Sequence, residues 1–257
     1  MTGWIMTQVT SDAAQTWLDR WDAQQERYVA DREERFTVLC DIVEAALDGV
    51  AEPVILDLGC GPGSLAARLR DRLPHATIIG IDSDPLLLGL ARAHYTGITW
   101  VDADLSKREW LAEVPPVINA AVSTTALHWL NNSQLTELYR TLGSLMAPGG
   151  VFINGDNIQL GDSRLDKLAE VVRRRRAERV GVLDNEEWGA WWEAVNSSPE
   201  LLELAQAWIE RKAKTGEHTE STLTVAGQAD ALRAAGFGSV APLWQVGDDH
   251  VLVAIKA

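Results

Sequence analysis

Apolar and polar positions fall into blocks along this chain, and the character of the blocks changes near residue 50. Before that point, residues 13–30 and 32–47 are rich in helix formers, with Gly49 as a plausible stop. Beyond it, short apolar runs bounded by turn residues alternate with helix-forming stretches. Residues 53–57 read as a buried strand, 64–73 as a helix and 77–82 as a second strand. Asp84-Pro85 then opens a helix with an N-cap and a proline at its first position, which completes a βαβ unit. Residues 98–101 make a third strand, Ser106 to Glu109 reads as a capping box on a short helix, and 116–122 make a fourth strand. A helix over 133–146 and the turn Pro148-Gly149-Gly150 lead into a fifth strand, 151–154.

After Asp156 the alternation stops, and three helical stretches follow at 163–180, 184–195 and 198–214. The earlier pattern resumes at Thr224 with a helix ending at Gly236 and strands at 239–246 and 250–255. The turn Gly247-Asp248-Asp249 joins those strands as a hairpin. Alternating strands and helices imply a doubly wound, mostly parallel seven-stranded sheet covered on both faces, with ligands bound at the carboxyl ends of the strands. The expected organisation is a helical cap over 1–50, a ligand-binding core over 51–157, a helical lid insertion over 158–221 and the rest of the core over 222–257.

Composition narrows the function. With 257 residues, 46% of them apolar, and no low-complexity tract, the chain can bury the core of one α/β domain with an insertion. No basic stretch followed by an apolar run opens it, and no segment approaches the roughly 18 apolar residues of a membrane span. A cytoplasmic protein without membrane partners is expected. Two cysteines, Cys40 and Cys60, lie on either side of the first strand, which suggests neither a disulfide framework nor a cysteine metal site. The formal charge of −14 disfavours a phosphate backbone as partner, so a small molecule is expected rather than nucleic acid. The run Arg173 to Arg176 is read as a solvated helix face balanced by nearby acids, because consecutive helical residues point in different directions.

The candidate chemistry begins at Asp57-Leu58-Gly59-Cys60-Gly61-Pro62-Gly63, where a strand runs into three glycines suited to positive φ and close backbone approach to a ligand. The dinucleotide fingerprint needs its third glycine five positions after the first, and that position is Ser64. Asp82 ends the second strand about 20 residues after the loop, where an acid accepts the hydroxyls of a ribose. Asp84 already fits the helix N-cap, which leaves Asp82 for the ligand.

Five segments in register then resemble the class I S-adenosylmethionine-dependent methyltransferases: 54–63, Ile79-Gly80-Ile81-Asp82, Asp102-Ala103-Asp104-Leu105, Leu127-His128-Trp129-Leu130 and Leu145-Met146-Ala147-Pro148-Gly149-Gly150. Within that class, 127–130 and Gln25-Glu26-Arg27-Tyr28 look like the trans-aconitate methyltransferase-like branch, a label that carries no substrate with it. The resemblance implies a Rossmann-like fold and S-adenosyl-L-methionine as cofactor, released as S-adenosyl-L-homocysteine. It places Asp57, Gly59, Cys60, Gly61 and Gly63 against the methionine and ribose parts, and Asp82 with the adjoining Ser83 at the ribose diol. Asp104 with the Leu105 backbone would meet the adenine edge, with Asp102 as its rival. Ser123 and Thr124 would lie near the reacting methyl.

Methyl transfer from a sulfonium is an in-line displacement, so positioning and water exclusion dominate. Trp188, Trp191, Trp192 and Trp208 could serve a lid or simply pack an amphipathic helix. If an oxygen or nitrogen nucleophile carries a proton, a base helps. His128 is the leading candidate, against the alternative of a helix cap, and Asp156, His218 and Glu220 complete the set. His218 and Glu220 could equally belong to an exposed linker. Asp156-Asn157 resembles the magnesium pair of catechol-type O-methyltransferases, but Ser123-Thr124-Thr125 stands where a further acid is needed. No metal site is therefore assigned, although His218 and Glu220 could in principle supply a transition-metal pair. The rival activities are an NAD-dependent oxidoreductase, which fails at Ser64, and a methyltransferase-fold protein with altered or lost chemistry.

Overall fold

In the computed structural model, which describes residues 9–214 and 220–257, the apolar runs assemble into one seven-stranded sheet of order β3-β2-β1-β4-β5-β7-β6. The parallel part comprises β1 (Val54–Leu58), β2 (Thr77–Asp82), β3 (Thr99–Asp102), β4 (Ile118–Thr124) and β5 (Met146–Asn157). The hairpin of β6 (Phe237–Val246) and β7 (Asp249–Lys256) completes it, with β7 lying antiparallel between β5 and β6. Winding runs outward from β1 to β2 and β3, then returns to start again at β4. That reversal between β1 and β4 opens a crevice at the carboxyl ends of the two strands.

Alternate residues of the central strands serve opposite faces, which is why these strands are apolar almost throughout. Leu56, Leu58, Ile79 and Ile81 pack on the face covered by α5 (Asn132–Leu145) and α9 (Val225–Ala234). Ile55, Ile78, Val122 and Ile153 pack on the face covered by α2 (Arg32–Ala46) and α3 (Ser64–Arg72). A third cluster lies apart from the sheet. There Trp17 and Trp21 of α1 (Ser11–Glu26) meet Leu86, Leu87 and Leu90 of α4 (Pro85–His94). Trp191 and Trp192 of α7 (Trp188–Ser197) join them, with Leu201 and Ala205 around the start of α8 (Leu202–Lys214).

The longest inserted helix, α6 (Ser163–Val180), is tied down by charge. Arg176 is only 8% exposed, and it donates to Asp31 at 2.9 Å and Glu34 at 2.8 Å. Arg35, fully buried in α2, donates to Asp249 Oδ1 and Thr124 Oγ1, each at 2.8 Å. Removing one member of such a buried ionic set costs about 3–5 kcal/mol, because the other charge stays desolvated. Among the described residues no helix is long and apolar enough to cross a membrane.

The elements agree with the sequence pattern except where local hydrogen bonds override it. Ser106 caps no helix: Asp104 Oδ1 accepts the Ser106 amide at 2.8 Å in a short Asx-type turn, and only a 3-10 segment, Glu109–Glu113, follows. The helix expected from residue 184 begins at Trp188, because Arg27 holds the preceding carbonyls of Leu183 and Asn185 and the Glu187 carboxylate in a non-helical path. Strand β5 begins at Met146, which pairs with Ile118, so the expected turn Pro148-Gly149-Gly150 lies within it at a register shift, and it runs on to Asn157 since β7 pairs with it from Val151, Asn157 facing Asp249. The arginine run is not a uniformly solvated face either. Arg176 is buried, Arg173 approaches Asp248 at 3.4 Å, and Arg174 pairs along the helix with Glu178 at 3.7 Å.

Candidate active site

A cavity of about 1240 Å³ occupies the crevice at the β1–β4 reversal. The glycine loop forms part of its wall, and backbone hydrogen bonds fix the loop to the end of β2: Gly59 and Cys60 both donate to the Ile81 carbonyl, at 2.8 and 3.1 Å. Gly61 donates to Asp82 Oδ2 at 2.7 Å, and the Asp84 amide donates to Asp82 Oδ1 at 2.9 Å. Burial pushes the Asp82 carboxyl up, with these backbone donors pulling the other way.

The glycines differ in what demands them. A Cβ at Gly63, where φ is +91°, would sit 2.4 Å from the Trp100 ring, so that glycine serves packing. At Gly61, with φ +53°, the nearest atom is Leu87 Cδ1 at 3.9 Å, so its open side is available to a ligand. Asp84 caps α4 by accepting the Leu86 and Leu87 amides, as its position before Pro85 predicts.

Three further acids take different roles. Asp104 lines the cavity, whereas Asp102 is engaged by Arg211 of α8 at 2.8 and 2.9 Å. Asp57 is fully buried beneath the loop, both its oxygens without a hydrogen bond and its carboxyl pushed up to about 7 by burial. Near it, Arg32 lines the cavity and donates to Asp22 at 2.6 Å, while its Nε is buried with no acceptor among the described residues.

At the other end of the cavity stands His128, on a 3-10 turn, Leu127–Trp129, that follows β4. Its Nδ1 lies 2.9 and 3.0 Å from the two oxygens of Asp156, which is nearly buried in β5 and also accepts the Asn157 amide at 2.9 Å. Asp156 thereby orients the ring and leaves Nε2 as the nitrogen for chemistry. Burial lowers the His128 pKa, but the Asp156 hydrogen bond and charge, helped by Glu220, outweigh it, so the net shift is upward. The chain after the last inserted helix returns along this residue, Ser221 donating to the His128 carbonyl at 2.9 Å. Glu220 lines the same cavity, whereas His218 falls outside the described residues. Among the described residues no three His, Cys, Asp or Glu side chains gather in a metal-binding group.

A family described as a methyltransferase domain matches residues 55–150. The trans-aconitate 2-methyltransferase of Methylobacterium nodulans (strain LMG 21967 / CNCM I-2342 / ORS 2060) is 30% identical over 192 residues, 70% of each chain. The chain belongs to the class I S-adenosylmethionine-dependent methyltransferases. The enzyme of the same name from Azoarcus sp. (strain BH72) is 35% identical over 137 residues, 52% of this chain and 49% of that one. The chain thus spans about half the length of that relative. Among solved methyltransferases of similar fold are an amino pentose methyltransferase from Micromonospora echinaspora (TM-score 0.58, 15% identity, 92% of this chain and 96% of that one) and magnesium protoporphyrin IX methyltransferase from Synechocystis PCC 6803 (TM-score 0.56, 15% identity, 94% and 95%).

The cavity fits the cofactor of the family. The open side of Gly61 admits close backbone approach, Asp82 and Asp104 offer carboxylates to a ribose and an adenine edge, and the orphaned Arg32 Nε–H suits a carboxylate such as the methionine tail. Gly59, Cys60, Gly61, Asp82, Ser83, Asp104, His128, Asp156 and Glu220 share the cavity wall. Four other candidates stand back from it. Asp57 is buried, Gly63 packs on Trp100, and Leu105 joins the hydrophobic core. The Ser123 hydroxyl is fully buried and donates to the Leu58 carbonyl at 2.7 Å. Arg32 and Arg211 were not among the residues singled out from the sequence. Arg32 precedes Phe36 and Leu39 at helical spacing on an inward face, a pattern that marks it as a buried arginine.

Proposed function

We propose that the protein transfers a methyl group from S-adenosyl-L-methionine to an oxygen or nitrogen of a small molecule, with His128 as general base. The observation that carries this reading is the His128–Asp156 pair, held at 2.9 Å beside the cavity that the glycine loop and Asp82 also line. The cofactor supplies an electrophilic methyl group when bound. Asp82 and Asp104 hold its sugar and base, and Arg32 its carboxylate. His128 Nε2 accepts the acceptor's proton as the nucleophile attacks, and the Asp156 carboxylate stabilises the imidazolium that results. The inserted segment 158–221 acts as the lid that excludes water, its Arg211 closing on Asp102 and the Ser83 carbonyl.

Thermal unfolding with added nucleotides tests the cofactor. At 100 times its dissociation constant, S-adenosyl-L-homocysteine should add about 2.7 kcal/mol of stability. Stabilisation by NADH and none by S-adenosyl-L-homocysteine would overturn the assignment and favour an oxidoreductase.

A further inference from the structure

The relatives named above act on trans-aconitate, yet the charged groups around this cavity are arranged for something else. A polycarboxylate needs several cations with hydrogen bonds to spare. Among the described lining residues, Arg32 donates to Asp22 at 2.6 Å and its remaining Nε–H is the proposed contact of the cofactor carboxylate, while Arg211 is engaged by Asp102 at 2.8 Å. The Lys212 Nζ stands 4.9 Å over the Trp208 ring. Arg173 is the cation on the side of Asn157 and Gln159, and its Nε already approaches Asp248 at 3.4 Å. Asp156 and Glu220 add negative charge beside His128.

Part of the uncharged lining of the cavity is a cluster of aromatic side chains. Trp208 and Trp192 stack at 4.3 Å with 17° between their planes, and Trp192 meets Trp188 at 5.6 Å. The Trp188 amide in turn donates to the Tyr28 hydroxyl at 3.0 Å, so the row runs from Arg211, one turn beyond Trp208, across to the N-terminal helices. Trp129 stands beside His128 with ring centroids 5.2 Å apart. Trp188 and Trp129 are 43% and 53% exposed although both line the cavity, which marks them as surfaces still to be covered. Trp192 is nearly buried, and its indole N–H has no acceptor among the described residues.

Resting on the proposed methyl transfer, we infer that the acceptor is a flat aromatic hydroxyl compound, a phenol or an enol of similar shape, carrying at most one negative charge. The tryptophan row would hold its face, the Trp192 N–H would meet a neutral oxygen, and a single carboxylate could reach Arg173. The nucleophile is then a weakly acidic hydroxyl. His128 takes its proton, the phenolic oxygen forms the new bond to the methyl carbon, and the sulfur of the cofactor keeps the electron pair of the bond that breaks.

Calorimetric titration of the protein saturated with S-adenosyl-L-homocysteine, using 2-naphthol and trans-aconitate as probes, tests the inference. 2-Naphthol should bind at least tenfold more tightly than trans-aconitate, and Trp188→Ala should weaken it about tenfold while Trp188→Phe restores most of the affinity. Trans-aconitate binding the more tightly, or Trp188→Ala leaving the naphthol affinity unchanged, would overturn the aromatic acceptor. S-adenosyl-L-homocysteine is titrated first into each variant, so a failure of the cofactor assignment shows at that step and is distinguished from a failure of the acceptor.

Discussion

Asp57 offers a test in which burial, charge and function oppose one another. The carboxyl is fully buried, and burial together with Asp82 lifts its pKa from 3.8 to about 7 against the pull of the nearby Ala66 amide and Arg32. An acid whose pKa is raised by folding gives up stability as pH rises: nothing is lost below the unfolded value, and the loss grows until pH passes the folded one. Between 3.8 and 7 that amounts to about 4 kcal/mol, each unit being worth about 1.36 kcal/mol. Asp57→Asn keeps the shape and removes the ionisation. In urea unfolding of the ligand-free protein, the variant should gain on the parent by about 3 kcal/mol between pH 5 and pH 8.5, most of it by pH 7. Taking the difference between two pH values cancels any constant cost of burying the amide. A stability difference that stays flat over this range would refute the claim that Asp57 is a carboxylate ionised at a cost.

Four other perturbations probe the site. Asp82→Ala removes the acceptor of the Gly61 and Asp84 amides as well as the proposed ribose contact, so calorimetry should show S-adenosyl-L-homocysteine affinity falling at least tenfold, since hydrogen bonds to charged groups are worth about 1.5–3 kcal/mol. His128→Ala should lower turnover by about 10²–10⁴ with S-adenosyl-L-homocysteine affinity retained. In the parent, turnover should rise with pH through a His128 value above 6.5, because the base acts in its neutral form; Asp156→Asn removes the raising charge and moves that limb to lower pH. Gly63→Ala places a Cβ 2.4 Å from Trp100 at a φ of +91°, and thermal denaturation should show a loss of about 1–3 kcal/mol.

The glycine loop and the strand-end acids were largely legible in the sequence because their structural requirements are local. A glycine with positive φ, an acid ending a strand and a proline after an N-cap each act within a few residues, so spacing alone located Gly61, Asp82 and Asp84. What the sequence did not separate was which loop glycine faces a ligand and which faces the protein. Gly63 answers to Trp100, a residue on β3, and only the fold brings the two together. Which of Asp102 and Asp104 reaches the cavity wall is equally non-local, because Arg211, more than a hundred positions away, engages Asp102 while Asp104 lines the cavity.

The acceptor side was harder to read for a related reason: its residues also pack. Trp191 is fully buried in the cluster of α1 and α4, while Trp188, three positions earlier and nearly a full turn away on the same helix, reaches the cavity. Both satisfy the same amphipathic pattern, so periodicity cannot divide core from site. The arginine run shows the same ambiguity in charged residues, since Arg176 is buried as a tie between α6 and α2 while Arg173 lines the cavity. Segments that build the family's cofactor pocket are thus fixed by backbone demands, whereas those that choose the acceptor are fixed by which faces the inserted helices turn inward. This chain can therefore resemble trans-aconitate enzymes over much of its length and still differ from them on the inserted helices, and the proposed base, His128, would act on the hydroxyl that those tryptophans bring to it.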